Sequence, residues 1–134
     1  MRTIDRQSID ELYRQAAVSE RKRSHHLLHH SHQDKVQRLL IALVKGSYVE
    51  PHFHELPHQW EMFSVIDGCI KVCIHDASGK VINEFLAGPD QKSALVEFVP
   101  NEIHSVECVS DQALMLEIKE GPFDPNFAKA FPQW

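Results

Sequence analysis

The stretch "GSYVEPHFHELPHQWEMFSVIDG", residues 46–68, decides how this chain is read. Two runs of strand-forming residues flank a short polar loop, and His52 and His54 stand two apart in the first run. Period-two geometry puts both rings on one face of a strand, where they form a pair of adjacent ligands for a transition metal. Tyr48 has the same parity and is expected to line the same face. Glu61 opens the second run and offers a carboxylate from the neighbouring strand. Farther along, "VPNEIHSV" (99–106) sets His104 just after a turn, at the start of another strand that can pair opposite the first. Three neutral histidines and one carboxylate leave one or two coordination positions open, which suits catalysis better than a closed structural site. His58, in the loop, is the alternative fourth ligand or an acid–base group beside the site.

Outward from this stretch the pattern stays strand-like. After Gly46, "SYVEPHFH", "WEMFSVIDG", "CIKVCIH", "KVINEFL", "ALVEFV", "HSVECV" and "ALMLEIK" alternate with turn signals, with no helix between them. That spacing predicts an antiparallel barrel or sandwich. "HDASGKV" reads as a hairpin with Gly79 at positive φ. In one late strand Glu117 and Lys119 share a face, as an ion pair at the rim or as pocket groups touching a substrate; Glu97 divides the same way. The Pro-rich tail "GPFDPNFAKAFPQW" is expected to pack Phe123, Phe127, Phe131 and Trp134 back on the barrel.

Before Gly46 two short helices are predicted. Ser8 and Glu11 have capping-box spacing for a helix over 9–18. Asp34 and Gln37 repeat the signal, with Val36, Leu39, Leu40 and Leu43 on one face and Gly46 as the C-terminal cap. Between them "SHHLLHHSH", residues 24–32, holds five of the ten histidines but no rigid frame. Ordering it around a metal would carry an entropic cost that weakens such a site. The organisation expected is one structural domain: residues 1–45 as a helical segment and polar arm packed on the barrel, and 46–134 as the barrel with a C-terminal wrap.

Bulk properties narrow the functional classes. The 134 residues carry a formal net charge of −5, which argues against nucleic-acid or anionic-membrane partners. "ERKRS", with Arg21, Lys22 and Arg23, is a local exception that could hold an anionic small molecule. The N-terminus lacks a signal-peptide core, and the longest apolar run, "LLIALV" (39–44), is too short to span a bilayer. Cys69, Cys73 and Cys108 sit in strand contexts without zinc-ligand spacing and read as reduced core thiols. A cytoplasmic protein is expected.

These residues resemble the cupin superfamily. Gly46, His52, His54, Glu61 and Gly68 follow its first motif, G-x5-H-x-H-x3,4-E-x6-G, except that six residues separate His54 from Glu61. Pro100, Asn101 and His104 match a degraded second motif, with Asn101 in place of glycine. The order of "RKRSHHLLH", "DKVQRLLIAL", "GSYVEPHFH", "WEMFSVIDG", "IHSV", "EIKEGPFDP" and "FPQW" is similar to the WbuC family of cupin-fold metalloproteins, associated with surface-polysaccharide (O-antigen) gene clusters. The resemblance implies an all-β jelly-roll barrel. It also implies one divalent transition metal (Fe, Mn, Ni or Zn) on His52, His54, Glu61 and His104. It singles out Arg21, Arg23 and His29 as an arm contacting an anion or sugar, and strand parity, not the resemblance, adds Tyr48 and Lys119 as further candidate substrate contacts. Glu117 or His58 would move a proton.

The function implied is action on a sugar or sugar nucleotide, as an isomerase, epimerase or oxygenase. A non-catalytic carbohydrate-binding or sensing module and a metal-free epimerase are the rival readings. Cupins often dimerise by strand exchange or edge pairing, and the apolar edges here permit a homodimer.

Overall fold

"VQRLLIALV" has apolar residues at both parities, and both of its faces are covered in the computed structural model, which describes all 134 residues. The segment is not the predicted second helix but a nine-residue strand, β2 (Val36–Val44). Leu39, Ile41 and Leu43 enter the main core, while Leu40 and Ala42 point the other way, under a helix. Apolar residues at 36, 39, 40 and 43 fit one helical stripe as well as a strand buried on both sides, so periodicity alone misassigned them.

The single α-helix is α1 (Arg6–Val18), and its Leu12, Tyr13 and Ala16 pack on Leu40, Ala42 and Leu114. It starts earlier than the capping-box spacing suggested. Asp5 is the N-cap and accepts the Ser8 N–H at 2.9 Å. Tyr13 ties the helix down by donating its hydroxyl to Asp67 at 2.8 Å.

Eight further strands follow or precede β2: β1 (Arg23–Leu27), β3 (Tyr48–His52), β4 (Glu61–Asp67), β5 (Ile70–His75), β6 (Val81–Ala87), β7 (Leu95–Phe98), β8 (Ile103–Cys108) and β9 (Gln112–Glu120). One antiparallel sheet has the order β1-β2-β9-β4-β7 and the other β3-β8-β5-β6. The seven runs after Gly46 are all strands, β3 to β9. The barrel expectation needs correction, because the two sheets face each other without hydrogen-bonding into a closed ring. The segment before Gly46 also differs from its expected role, since it supplies two strands of the five-stranded sheet. Arg23–Leu27, the first part of the histidine-rich stretch, is one of them rather than loop.

Phe63, Val65, Ile70, Val72, Phe98, Val106 and Met115 fill the space between the sheets with the inner residues of β2. Cys73 and Cys108 are buried, Cys69 is half-buried, and all three are free thiols. After β9 the chain passes a short 3₁₀ turn (Pro125–Phe127) and docks through backbone bonds, Phe53 N–H to Ala130 O (3.0 Å) and Ala130 N–H to Phe53 O (2.9 Å). Phe127 and Phe131 stay substantially exposed, whereas Phe123 packs on His32 at 4.9 Å and the half-exposed Trp134 ring lies 5.9 Å from His75, so backbone pairing and two of the four aromatics hold this segment. No helix is long and apolar enough to cross a membrane.

Gly46 and Gly68 close the turns on either side of the ligand stretch with φ of +87° and +75°. A Cβ on Gly68 would also collide with the Gln112 carbonyl oxygen. Gly68→Ala should therefore lower stability by about 2 kcal/mol or more, read as a fall in the urea unfolding midpoint.

Candidate metal centre and its cavity

His52 ends β3, and a bulge precedes it. The β3–β8 register shifts between Val49 and His52, where Pro51 has no N–H to give to the ladder. The shift sends both Val49 and His52 inward and leaves Tyr48 outward, opposite Glu107 and 54% exposed. Tyr48 is therefore off the cavity, contrary to the parity argument. His54 lies just beyond the strand, and its ring centroid is 5.3 Å from that of His52. His104, in β8, pairs directly with His52 across the ladder and is clamped by the Phe98 ring, stacked at 3.8 Å and 8°. Asn101, with φ +70°, makes the turn that delivers it. Glu61 opens β4, paired with Phe98 on one side and Lys119 on the other.

One ligand atom from each of His52, His54, Glu61 and His104 falls within a 4.8 Å cluster. His58 is outside it, so the carboxylate of Glu61 occupies the fourth corner.

The second nitrogen of each ring shows which way the first one faces. Nδ1 of His52 lies 2.8 Å from Glu50 O, Nδ1 of His54 2.8 Å from Ala128 O, and Nδ1 of His104 2.9 Å from Glu102 O. A carbonyl oxygen only accepts, so each Nδ1 carries the hydrogen and each neutral ring has its lone pair on Nε2. Nε2 of His54 and of His104 is buried without a hydrogen-bond partner. Glu61 Oε2 approaches His54 Nε2 to 2.7 Å and Oε1 approaches His104 Nε2 to 3.6 Å, contacts that pair charges only when the rings are protonated. Orphaned imidazole lone pairs converging on a carboxylate are complementary to a cation, and the N3O donor set fits a divalent transition metal.

The electrostatics follow from burial and crowding. Burial and the neighbouring His104 push His52 down to about 4. Burial also opposes charge on His54, but Glu61 outweighs it and raises that ring. Burial would raise Glu61, yet the imidazoles of His104 and His54 hold it well below the usual carboxylate range. For Glu117 the balance is reversed, with Lys119 and His54 the weaker influences. Burial, then the Glu61 charge, push it up to about 7, against Lys119 at 3.9 Å.

These groups meet a cavity of about 280 Å3 between the sheets. Glu117, Lys119, Arg21, Arg23 and His29 all line it, together with His52, His54 and Glu61. His58 and Tyr48 do not. His29 Nδ1 lies 2.9 Å from the Arg38 carbonyl oxygen and 3.0 Å from the Arg38 backbone nitrogen, which anchors its ring at the start of β2. The sequence reading missed His25, His32 and Lys129 as lining groups. His25 alternates with Arg23 and Leu27, a signal that becomes visible once β1 is recognised as a strand. Lys129 sits in an irregular segment where no periodicity could have marked it.

Two facing antiparallel sheets with this cluster between them make a cupin-like fold. The fold is similar to CapF, a capsular polysaccharide assembling protein from Staphylococcus aureus (TM-score 0.71, 21% identity over 87% of this chain and 33% of that one). It is also similar to a cupin superfamily protein from Desulfitobacterium hafniense DCB-2 (TM-score 0.57, 16% identity, 73% and 76% covered). Recombinant oxalate oxidase in complex with glycolate is a third neighbour (TM-score 0.63, 14% identity, 86% and 57% covered). The chain spans about a third of the CapF chain. No curated protein matches it. The chain belongs to the family described as domain of unknown function (DUF6016), which matches over residues 4–87.

Three outcomes are expected. His52→Ala with His104→Ala should abolish bound metal by elemental analysis. Removing residues 124–134, and with them the Ala128 carbonyl, should weaken metal affinity about 10–100-fold in chelator competition. Because only a neutral ring can ligate, metal affinity should also rise with pH above 6.5, as the proton leaves the raised His54.

Proposed function

We propose that the protein is a metal-dependent cupin of WbuC type that acts on a sugar or sugar nucleotide in surface-polysaccharide assembly. The observation that carries the metal centre is the common tautomer of three histidines, each set by a backbone carbonyl, facing Glu61 at the base of a ligand-sized cavity. The likeness to CapF, a capsular polysaccharide assembling protein, supports the substrate class.

A divalent first-row ion held there would polarise a carbonyl or hydroxyl oxygen. The protein's own contribution is a buried carboxyl, Glu117, poised near neutrality to take or give a proton. Lys119 lies beside it on the same strand face and favours its ionised form. Apolar walls from Leu39, Ile41, Phe63 and Met115 keep bulk water from the reacting end.

The test is metal analysis followed by NMR of candidate sugar nucleotides with and without chelator. Conversion that stops on chelation supports an enzyme, whereas stoichiometric binding without conversion supports a carbohydrate-binding module. Glu117→Gln should keep the metal and lower turnover about 10²–10⁴-fold.

A further inference from the structure

Four cations, Arg21, Arg23, Lys119 and Lys129, line the cavity of a chain that holds 14 basic and 19 acidic side chains. The only carboxylates lining it are Glu61 and Glu117. Glu61 is engaged by His54 and His104, and Glu117 lies against Lys119. Arg21, Arg23 and Lys129 have no ion-pair partner at all. They act on one another instead. Loss of hydration and then the Arg21 charge lower Arg23, while loss of hydration and then Arg23 and Arg21 lower Lys129, although much of that lysine is exposed. Like charges that line one cavity, opposed only more weakly by Glu50 at Arg23 and by Glu61 and Glu117 at Lys129, destabilise the free protein and attract an anion.

The chain that carries the three cations is also fixed at three points. The Arg21 carbonyl accepts the Ser47 hydroxyl at 3.0 Å, fixing the approach to β1. Arg23 projects from β1 and donates from Nη1 to the Tyr48 carbonyl at 3.4 Å. Lys129 stands between Ala128, whose carbonyl holds His54, and Ala130, which is bonded to Phe53. Apolar side chains and the cluster residues His52, His54 and Glu61 line the same space. At about 280 Å3 the space is at the lower end of ligand clefts, which run roughly 300–1,000 Å3, and suits one sugar unit rather than an oligosaccharide.

We infer that the cavity selects an acidic monosaccharide unit. Its carboxylate or phosphate would lie on Arg21, Arg23 and Lys129, and its hydroxyls would face His52, His54 and Glu61. This rests on the sugar-site reading above and narrows it to anionic sugars. A carboxylate on the ring, a phosphate on the anomeric oxygen and the diphosphate of a sugar nucleotide share the chemistry, so the probes must separate them.

The experiment is calorimetric titration of the metal-loaded full chain with glucuronate, glucose 1-phosphate, UDP-glucose, neutral glucose and inorganic phosphate. At least one acidic sugar should bind about tenfold or more tightly than glucose, with an advantage that shrinks as salt is raised. Arg21→Gln with Arg23→Gln should erase that advantage while metal stoichiometry stays unchanged. Should the double variant not fold, Lys129→Gln in the irregular segment serves instead and should reduce the same preference. Equal affinity for glucose and every acidic sugar overturns the inference, as does binding of inorganic phosphate alone or of nothing. One metal ion per chain with no acid preference overturns the anion site and leaves the metal reading standing. Acid preference in a protein that takes up no metal does the reverse.

Discussion

The ladder between β2 and β9 is the constraint on which the rest of the molecule depends. It runs in unbroken register from Val36↔Glu120 to Val44↔Gln112. A strand buried on both faces serves two layers at once, and β2 anchors α1 outside while feeding the core inside. Each buried leucine there contributes about 1.5–3 kcal/mol. The same register sets the parity of β9, which turns Glu117 and Lys119 into the cavity beside Leu39 and Gln37. Through the pairing of β1 with β2 it also aims Arg23 and His25 at that space. Slipping the ladder by one residue would exchange the lining of the cavity for the surface under α1.

Within that frame the candidate metal centre is built from backbone as much as from side chains. Imidazole could present either nitrogen, and three carbonyl oxygens remove the choice. The stacked Phe98 limits rotation of His104, and the His52–His104 pairing sets two rings at 4.4 Å before any ion arrives. Such prearrangement lowers the ordering cost that a flexible histidine cluster would carry.

How much of this could be read from the residues follows from where the information is held. The strands after Gly46 alternate and carry turn chemistry, so their existence was legible. The four residues of the cluster were legible because H-x-H, Glu61 and His104 are side-chain spacings. β2 was misread because burial on both faces removes the alternation that marks a strand. Tyr48 was misplaced because a bulge at Glu50–Pro51 resets parity, and a bulge leaves little trace in a single sequence. The carbonyls of Glu50, Glu102 and Ala128 are invisible to any reading of side chains, since every residue has one. The dense histidine stretch proved mixed: His25, His29 and His32 reach the cavity, while His26 and His30 do not line it.

The bond from His54 to Ala128 spans 74 positions of the chain. A ribosome adding about 5–20 residues per second makes the ring roughly 4–15 s before the carbonyl that orients it exists. During that interval the nascent chain holds H-x-H without its geometry, and the first metal it meets finds only a weak site. The complete geometry of the cluster therefore exists only in the finished fold, and any ion it takes is matched to that geometry rather than to the order of encounter.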